Sequence, residues 1–209
     1  MSKAKVEVLG RIRAASGNTR HAPEVPRAYL HTSGLSQDEL VEQFVERATD
    51  YRAAVYRTTE MSLAETVQEV CRLRGAETLV APADVPDGWL PDELAVTHDD
   101  GLSYGELEAF GGVLTGCALA VAQTGTVVLD GGAKQGRRTL SLLPDLHLCV
   151  IFERQIVGTV PEAVAALGHR STHPLTFISG PSATSDIELS RVEGVHGPRT
   201  LDLILVGTP

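Results

Sequence analysis

The stretch from Ala53 to Pro82 reads AAVYRTTEMSLAETVQEVCRLRGAETLVAP. It opens on a short apolar run, Ala53 to Tyr56, and closes on another, Thr78 to Pro82. Between them Ser62 and Glu65 have the spacing of a capping box, while Leu63, Val67, Val70 and Cys71 recur at helical intervals. Gly75 supplies a helix stop. Strand, capped helix and strand within about thirty residues make a βαβ unit, whose crossover demands parallel strands covered by helices.

The same grammar recurs on either side. Ser36 and Glu39 form another capping box ahead of Leu40, Val41, Phe44, Val45, Ala48 and Tyr51, one apolar stripe of a helix. Further strands are expected at Leu94 to Thr97, Ala118 to Ala122, Thr126 to Leu129, Leu146 to Phe152, Leu175 to Ile178 and Leu201 to Val206. Two more helices are expected, one capped by Ser103 with Glu106 and one from Pro161 to Leu167. Only Gln123-Thr124-Gly125 separates the strands at 118–129, the mark of an antiparallel hairpin or a bulge in a mixed sheet. Upstream, a short helix reaches to about Arg13, and Ala14 to Gly34 shows no apolar period and reads as an extended arm. The expected fold is α/β, a mixed, largely parallel sheet flanked by helices. Residues 1–34 form an N-terminal helix and arm, and residues 35–209 form the folded domain.

With 209 residues, 43% of them hydrophobic, the chain is long enough to bury a sizeable core without staples. Its net charge of −9 repels phosphate backbones and anionic membrane surfaces, which argues against nucleic acid as a partner. No run of apolar residues is long enough for a membrane span, and the N-terminal segment is mixed rather than a secretory core, so a cytoplasmic protein is expected. Cys71, Cys117 and Cys149 lie far apart with no short ligand spacing. A zinc ribbon or an iron–sulfur cluster held by this chain alone is therefore not supported, and the three are read as small buried apolar groups.

Three segments carry candidate chemistry. The first is Gln123-Thr124-Gly125-Thr126 with Asp130-Gly131-Gly132-Ala133-Lys134-Gln135-Gly136-Arg137-Arg138. Glycines such as Gly125, Gly132 and Gly136 let the backbone approach a ligand, and Arg137 and Arg138 carry forked donors suited to carboxylate or phosphate. Without the GxGxxG or GxxxxGK[ST] spacing it is neither a dinucleotide fingerprint nor a P-loop, and a glycine-rich β-turn with solvated charges is the competing reading. The second is Gly180-Pro181-Ser182-Ala183-Thr184-Ser185-Asp186-Ile187-Glu188. Hydroxyls of Ser182, Thr184 and Ser185 suit an anion or a sugar-like ligand, and Asp186 and Glu188 suit acid–base work, orientation of a hydroxyl or the holding of a cation. Helix capping by Ser182 or Ser185 explains the same residues equally well. The third is His196, placed to remove a proton from a hydroxy acid or to hydrogen-bond a substrate oxygen. His98 followed by Asp99 and Asp100 lacks a third metal ligand, so no metal site is assigned. His21, His31, His147, His169 and His173 carry no usable pattern.

Four segments taken in order, Ala122-Gln123-Thr124-Gly125-Thr126-Val127-Val128-Leu129, Leu140-Ser141-Leu142-Leu143-Pro144-Asp145-Leu146-His147, Ser179-Gly180-Pro181-Ser182 with Ser185-Asp186-Ile187-Glu188, and Gly194-Val195-His196-Gly197-Pro198-Arg199, resemble the lactate-utilization protein C family, the short members of the LUD-domain group. The likeness spans roughly Leu35 to Gly207 and makes residues 35–209 a LUD-type domain. Where the family has Ala-Glu-Thr-Gly this chain has Gln123, so the carboxylate at that turn is missing here. The resemblance implies a fold similar to the sugar-isomerase and CoA-transferase-like proteins. It also implies a cytoplasmic complex that oxidises L-lactate to pyruvate, with electrons collected by partner subunits that carry iron–sulfur clusters.

On that footing the chain is expected to be a non-redox subunit that holds no cofactor by itself. Its pocket would be lined by Thr124 to Thr126, Gly131 to Arg138, Gly180 to Glu188 and His196, with Arg137 or Arg138 pairing a carboxylate or phosphate, His196 contacting a hydroxyl or acting as base, and Glu188 orienting it. The alternative is a stand-alone enzyme or binding module for a sugar phosphate, acyl-CoA or similar small anion, which rests on the implied fold alone.

Overall fold

Alternation and helical periodicity both end in burial, and the order of elements follows from them. The structure, a computed structural model, describes residues 3–16, 25, 26, 28–168, 174–184, 192, 193 and 197–207. The elements run α1 (Lys3–Ser16), α2 (Gln37–Asp50), β1 (Ala54–Thr59), α3 (Leu63–Arg74), β2 (Thr78–Pro82), β3 (Ala95–Asp99), α4 (Tyr104–Glu108), β4 (Gly112–Thr115) and β5 (Leu119–Val121). They continue as β6 (Thr126–Leu129), β7 (Leu146–Phe152), β8 (Ile156–Val157), α5 (Val160–Leu167), β9 (Thr176–Ile178), β10 (Ala183–Thr184), β11 (Val192–Glu193) and β12 (Thr200–Gly207).

Six strands form one sheet in the order β1-β12-β7-β4-β2-β3, with every neighbouring pair parallel. A second sheet, β8-β5-β6-β9, supplies the mixed character, because β5 and β6 form the hairpin expected across residues 123–125 and β9 adds antiparallel to β6. β10 and β11 make a separate antiparallel pair.

The strand register sorts side chains onto two faces. In β7, Leu146, Leu148 and Val150 pack on α3 through Leu63, Val67 and Val70. Cys149 and Ile151 point the other way, onto α2 and the second sheet, where Phe44, Ala120 and Val127 close the core. Phe44 has no exposed surface, and truncating it to Ala would cost roughly 3–5 kcal/mol. On the far side of the second sheet, Ala163 and Leu167 of α5 cover Leu119, Val121 and Val128. The end of the N-terminal arm is fastened to α5: the Ser33 backbone N–H donates to Glu162, and the Thr159 hydroxyl donates to the His31 carbonyl. Among the described residues no helix is long and apolar enough to cross a membrane.

Two expectations need correction. Ser36 and Ser103 do cap their helices through complete capping boxes. Ser62 does not, because Glu60–Ser62 form a 3-10 turn that runs straight into α3 and leaves Ser62 at φ −102°, ψ 10°. A side chain caps from the extended region, which this backbone has already left. The second is β4, a central strand that the sequence reading left out. Four residues that begin on Gly112 and lie between Gly111 and Gly116 give too short an apolar run to stand out.

Candidate functional site

A cavity of about 340 Å³ opens on the face of the main sheet that looks toward the second sheet. Its floor is His147 of β7 and Leu201 of β12, a register pair near the start of both strands. Its walls come from the loop after β6 through Arg138 and Ser141, from β9 through Thr176 and Ile178, and from the turn that follows through Ser179, Gly180 and Ser182. Gly197 and Pro198 close the rim. The Ser182 N–H donates to the Pro198 carbonyl at 2.8 Å, which ties the two rim segments together. An adjoining cavity of about 310 Å³ shares Arg138, Ser141 and Thr176 and adds Gln135, Gly136 and Arg137.

The fold thus brings Arg138 beside Gly180 and Ser182, although about forty residues of chain separate them, and sets Gln135, Gly136 and Arg137 next door. Thr124 and Gly125 line neither cavity. Thr126 reaches the rim through a row of hydroxyls, with Thr124 Oγ1 to Thr126 Oγ1 at 2.7 Å and Thr126 Oγ1 to Ser179 Oγ at 2.8 Å. Gly125 and Gly180 both have positive φ, and they press on the last turn of α2 and on the Tyr51 that caps it, respectively. A Cβ at either position would strike backbone, that of Ala48 at Gly125 and the Tyr51 carbonyl at Gly180, so both are needed for close approach. The Gly132 N–H donates to Asp130, as does the Gln135 amide, and Gln135 accepts from the Asp130 N–H, which locks the loop. For Thr184 only the backbone, in β10, is described. Ser185, Asp186, Glu188 and His196 lie outside the described residues.

The two arginines divide. Arg137 forks onto Asp99 at 2.7 and 2.9 Å and also donates to the Leu102 carbonyl. The Arg137 guanidinium, with the Leu102 and Gly101 N–H groups, holds the Asp99 carboxyl below its usual range against the opposing effect of burial. Arg138 has no ion-pair partner among the described residues and lines both cavities. His98 is bonded to the Pro82 carbonyl at 3.1 Å, so it and Asp99 are spent on the protein itself. No three metal-ligating side chains converge among the described residues.

His147, which carries no pattern in a lone-histidine scan, sits in the most constrained place. It is 1% exposed, and Val113 and Leu201 flank it across the sheet. Its Nε2 lies 2.7 Å from Thr115 Oγ1, and its Nδ1 is buried with no partner among the described residues. Burial pushes its pKa down to about 4, so the ring is neutral at ordinary pH. The signal was present in the sequence: in Leu146-His147-Leu148-Cys149-Val150-Ile151 the alternation puts the histidine on an inward face with Cys149 and Ile151, where a polar group is out of place.

A larger cavity, about 450 Å³, lies at the carboxyl ends of β4 and β7. Its polar groups are already engaged: Lys134 lies over Trp89, Arg154 lies over Phe152, and Gln155 binds the Cys117 carbonyl and the Phe152 N–H. Burial raises the Cys71 thiol to about 12, and a neighbouring Cys149 with burial raises Cys117 well above its ordinary value, so neither offers a thiolate.

The LUD domain family profile matches residues 104–206. Lactate utilization protein C of Deinococcus radiodurans is 47% identical over 99% of this chain and 97% of its own length. Lactate utilization protein C of a Geobacillus species is 30% identical over 95% and 90% of the two chains. The crystal structure of a DUF162 family protein from Deinococcus radiodurans superposes with a TM-score of 0.73 at 41% identity, covering 83% of this chain and 99% of that one.

Proposed function

This chain belongs to the lactate utilization protein C family of LUD-domain proteins, and from that premise we propose that it is a non-redox subunit of a cytoplasmic system oxidising L-lactate to pyruvate. Membership gives it a role in lactate utilization. The observation that carries the reading is the end-to-end likeness to lactate utilization protein C of Deinococcus radiodurans, since the fold alone hosts many activities. The polar cavity with Arg138 on its wall supports a small carboxylate as the ligand.

Oxidation of L-lactate to pyruvate releases two electrons and two protons, so the system needs an electron acceptor. Three cysteines fall short of the four thiolates that hold an all-cysteine iron–sulfur cluster, and the acceptor in this reading is an iron–sulfur protein bound as a partner. Deleting the gene and following growth and lactate consumption tests the role. Loss of both, restored by the intact gene, is the expected result. Unchanged consumption after deletion overturns the reading.

A further inference from the structure

We propose that the 340 Å³ cavity is a binding site for a short 2-hydroxy or 2-oxo carboxylate, in which Arg138 takes the carboxylate and His147, oriented by Thr115, hydrogen-bonds the oxygen on the neighbouring carbon. The inference rests on the lactate reading above and extends it to a substrate class and to named atoms.

The position of His147 carries the argument. A buried polar atom without a partner costs about 1–3 kcal/mol, and native interiors keep few of them. Here the cost falls on Nδ1 of a histidine set between Val113 and Leu201, where an aliphatic side chain would pack without penalty. Nε2 is engaged by Thr115, which fixes the ring, and Nδ1 is the uncommitted polar atom of a side chain that lines the cavity. The same cavity is lined by Arg138, whose guanidinium has no carboxylate of the protein to hold among the described residues.

The choice of a hydroxyl as the orienting group adds chemistry. A threonine hydroxyl both donates and accepts, so Thr115 accommodates either neutral tautomer of the imidazole. With Nε2–H donating to Thr115, Nδ1 accepts a hydrogen bond from the hydroxyl of a 2-hydroxy acid. With the Thr115 O–H donating to Nε2, Nδ1–H donates to the oxygen of a 2-oxo acid. A carboxylate in the place of Thr115 would permit only the first. The site therefore suits both members of a hydroxy/oxo pair without any change in net charge. Burial, which keeps the ring neutral, works in the same direction.

The test uses the purified full-length chain labelled with 15N-histidine, and L-lactate, pyruvate and acetate as probes. The His147 ring resonances are identified as those lost in His147→Leu. L-lactate and pyruvate should each move them saturably, in opposite senses for Nδ1 as acceptor and donor, and acetate should leave them in place. Arg138→Ala should weaken both acids about tenfold, in keeping with loss of a charge-assisted hydrogen bond. Saturable binding that leaves the His147 resonances unmoved overturns the proposal. So does a failure of all three acids to bind at millimolar concentration, which leaves the growth phenotype, and with it the role in lactate utilization, standing. Equal responses to acetate and L-lactate remove the assignment of His147 to the second oxygen. Should His147→Leu fold poorly, Thr115→Val, which removes the partner of Nε2, identifies the same resonances by their shift.

Discussion

Thr115 and His147 meet from neighbouring strands, Oγ1 to Nε2 at 2.7 Å, on a face of the sheet where Val113, Leu201 and Leu203 otherwise exclude water. A neutral imidazole held in such a place ties the stability of the whole chain to pH. An unfolded histidine titrates near 6.5, whereas burial holds His147 at about 4. Between those values the unfolded chain takes up a proton that the native chain refuses. The contribution is therefore intact above pH ~6.5 and is lost as the pH falls toward about 4. Roughly 3 kcal/mol is at stake by linkage. Urea midpoints measured across that window should fall more steeply for the native sequence than for His147→Leu, and parallel pH profiles would refute the linkage.

Asp202 is a second buried polar group, set in β12 with no exposed surface, and Arg74 at the end of α3 clasps it with two 2.7 Å bonds. Arg74→Met should destabilise the protein by about 3 kcal/mol, the low end for a broken buried pair because the arginine is itself partly exposed. Removing the carboxylate as well, in Arg74→Met with Asp202→Leu, should recover much of that loss. Denaturant titration of the four proteins of the cycle checks it. A double variant no more stable than Arg74→Met would mean that the lost guanidinium packing, and not a stranded carboxylate, accounts for the cost.

Adjacent arginines should behave as opposites. Arg137 is a brace between the loop after β6 and the end of β3, so Arg137→Ala should lower the melting temperature by several degrees and strand the buried Asp99 carboxylate. Arg138 is committed to no carboxylate among the described residues, and Arg138→Ala should change stability by less than about 0.5 kcal/mol. Thermal melts of the two variants side by side give the answer, with equal losses counting against the division of labour.

Much of this architecture was legible in the chain. The βαβ unit at 53–82 and the capping boxes at Ser36 and Ser103 declare themselves through local periodicity and side-chain chemistry, which a linear reading sees well. β4 was not legible, because four residues between glycines acquire strand character only from β2 and β7 on either side. The site divides along the same line. Arg138, Gly180 and Ser182 stand out by composition and do line one cavity. Arg137 looks identical to its neighbour until Asp99 arrives from another strand. The alternation of β7 places His147 on an inward face, but its missing partner and the approach of Thr115 from β4 are tertiary facts that local sequence does not carry.

The sheet order has a consequence for how the protein comes into being. Among the described strands β1 occupies one border of the main sheet and touches it only through β12, which lies far later in the chain. During synthesis the early strand has nothing to zip onto until residues 200–207 leave the ribosome, and pairings so remote in sequence form slowly. A nascent chain cut short before Thr200 would leave β1 and one side of β7 as raw edges, open to strands of other molecules. The segment 200–207 is in that sense the keystone of assembly, and its loss should show first as aggregation during expression.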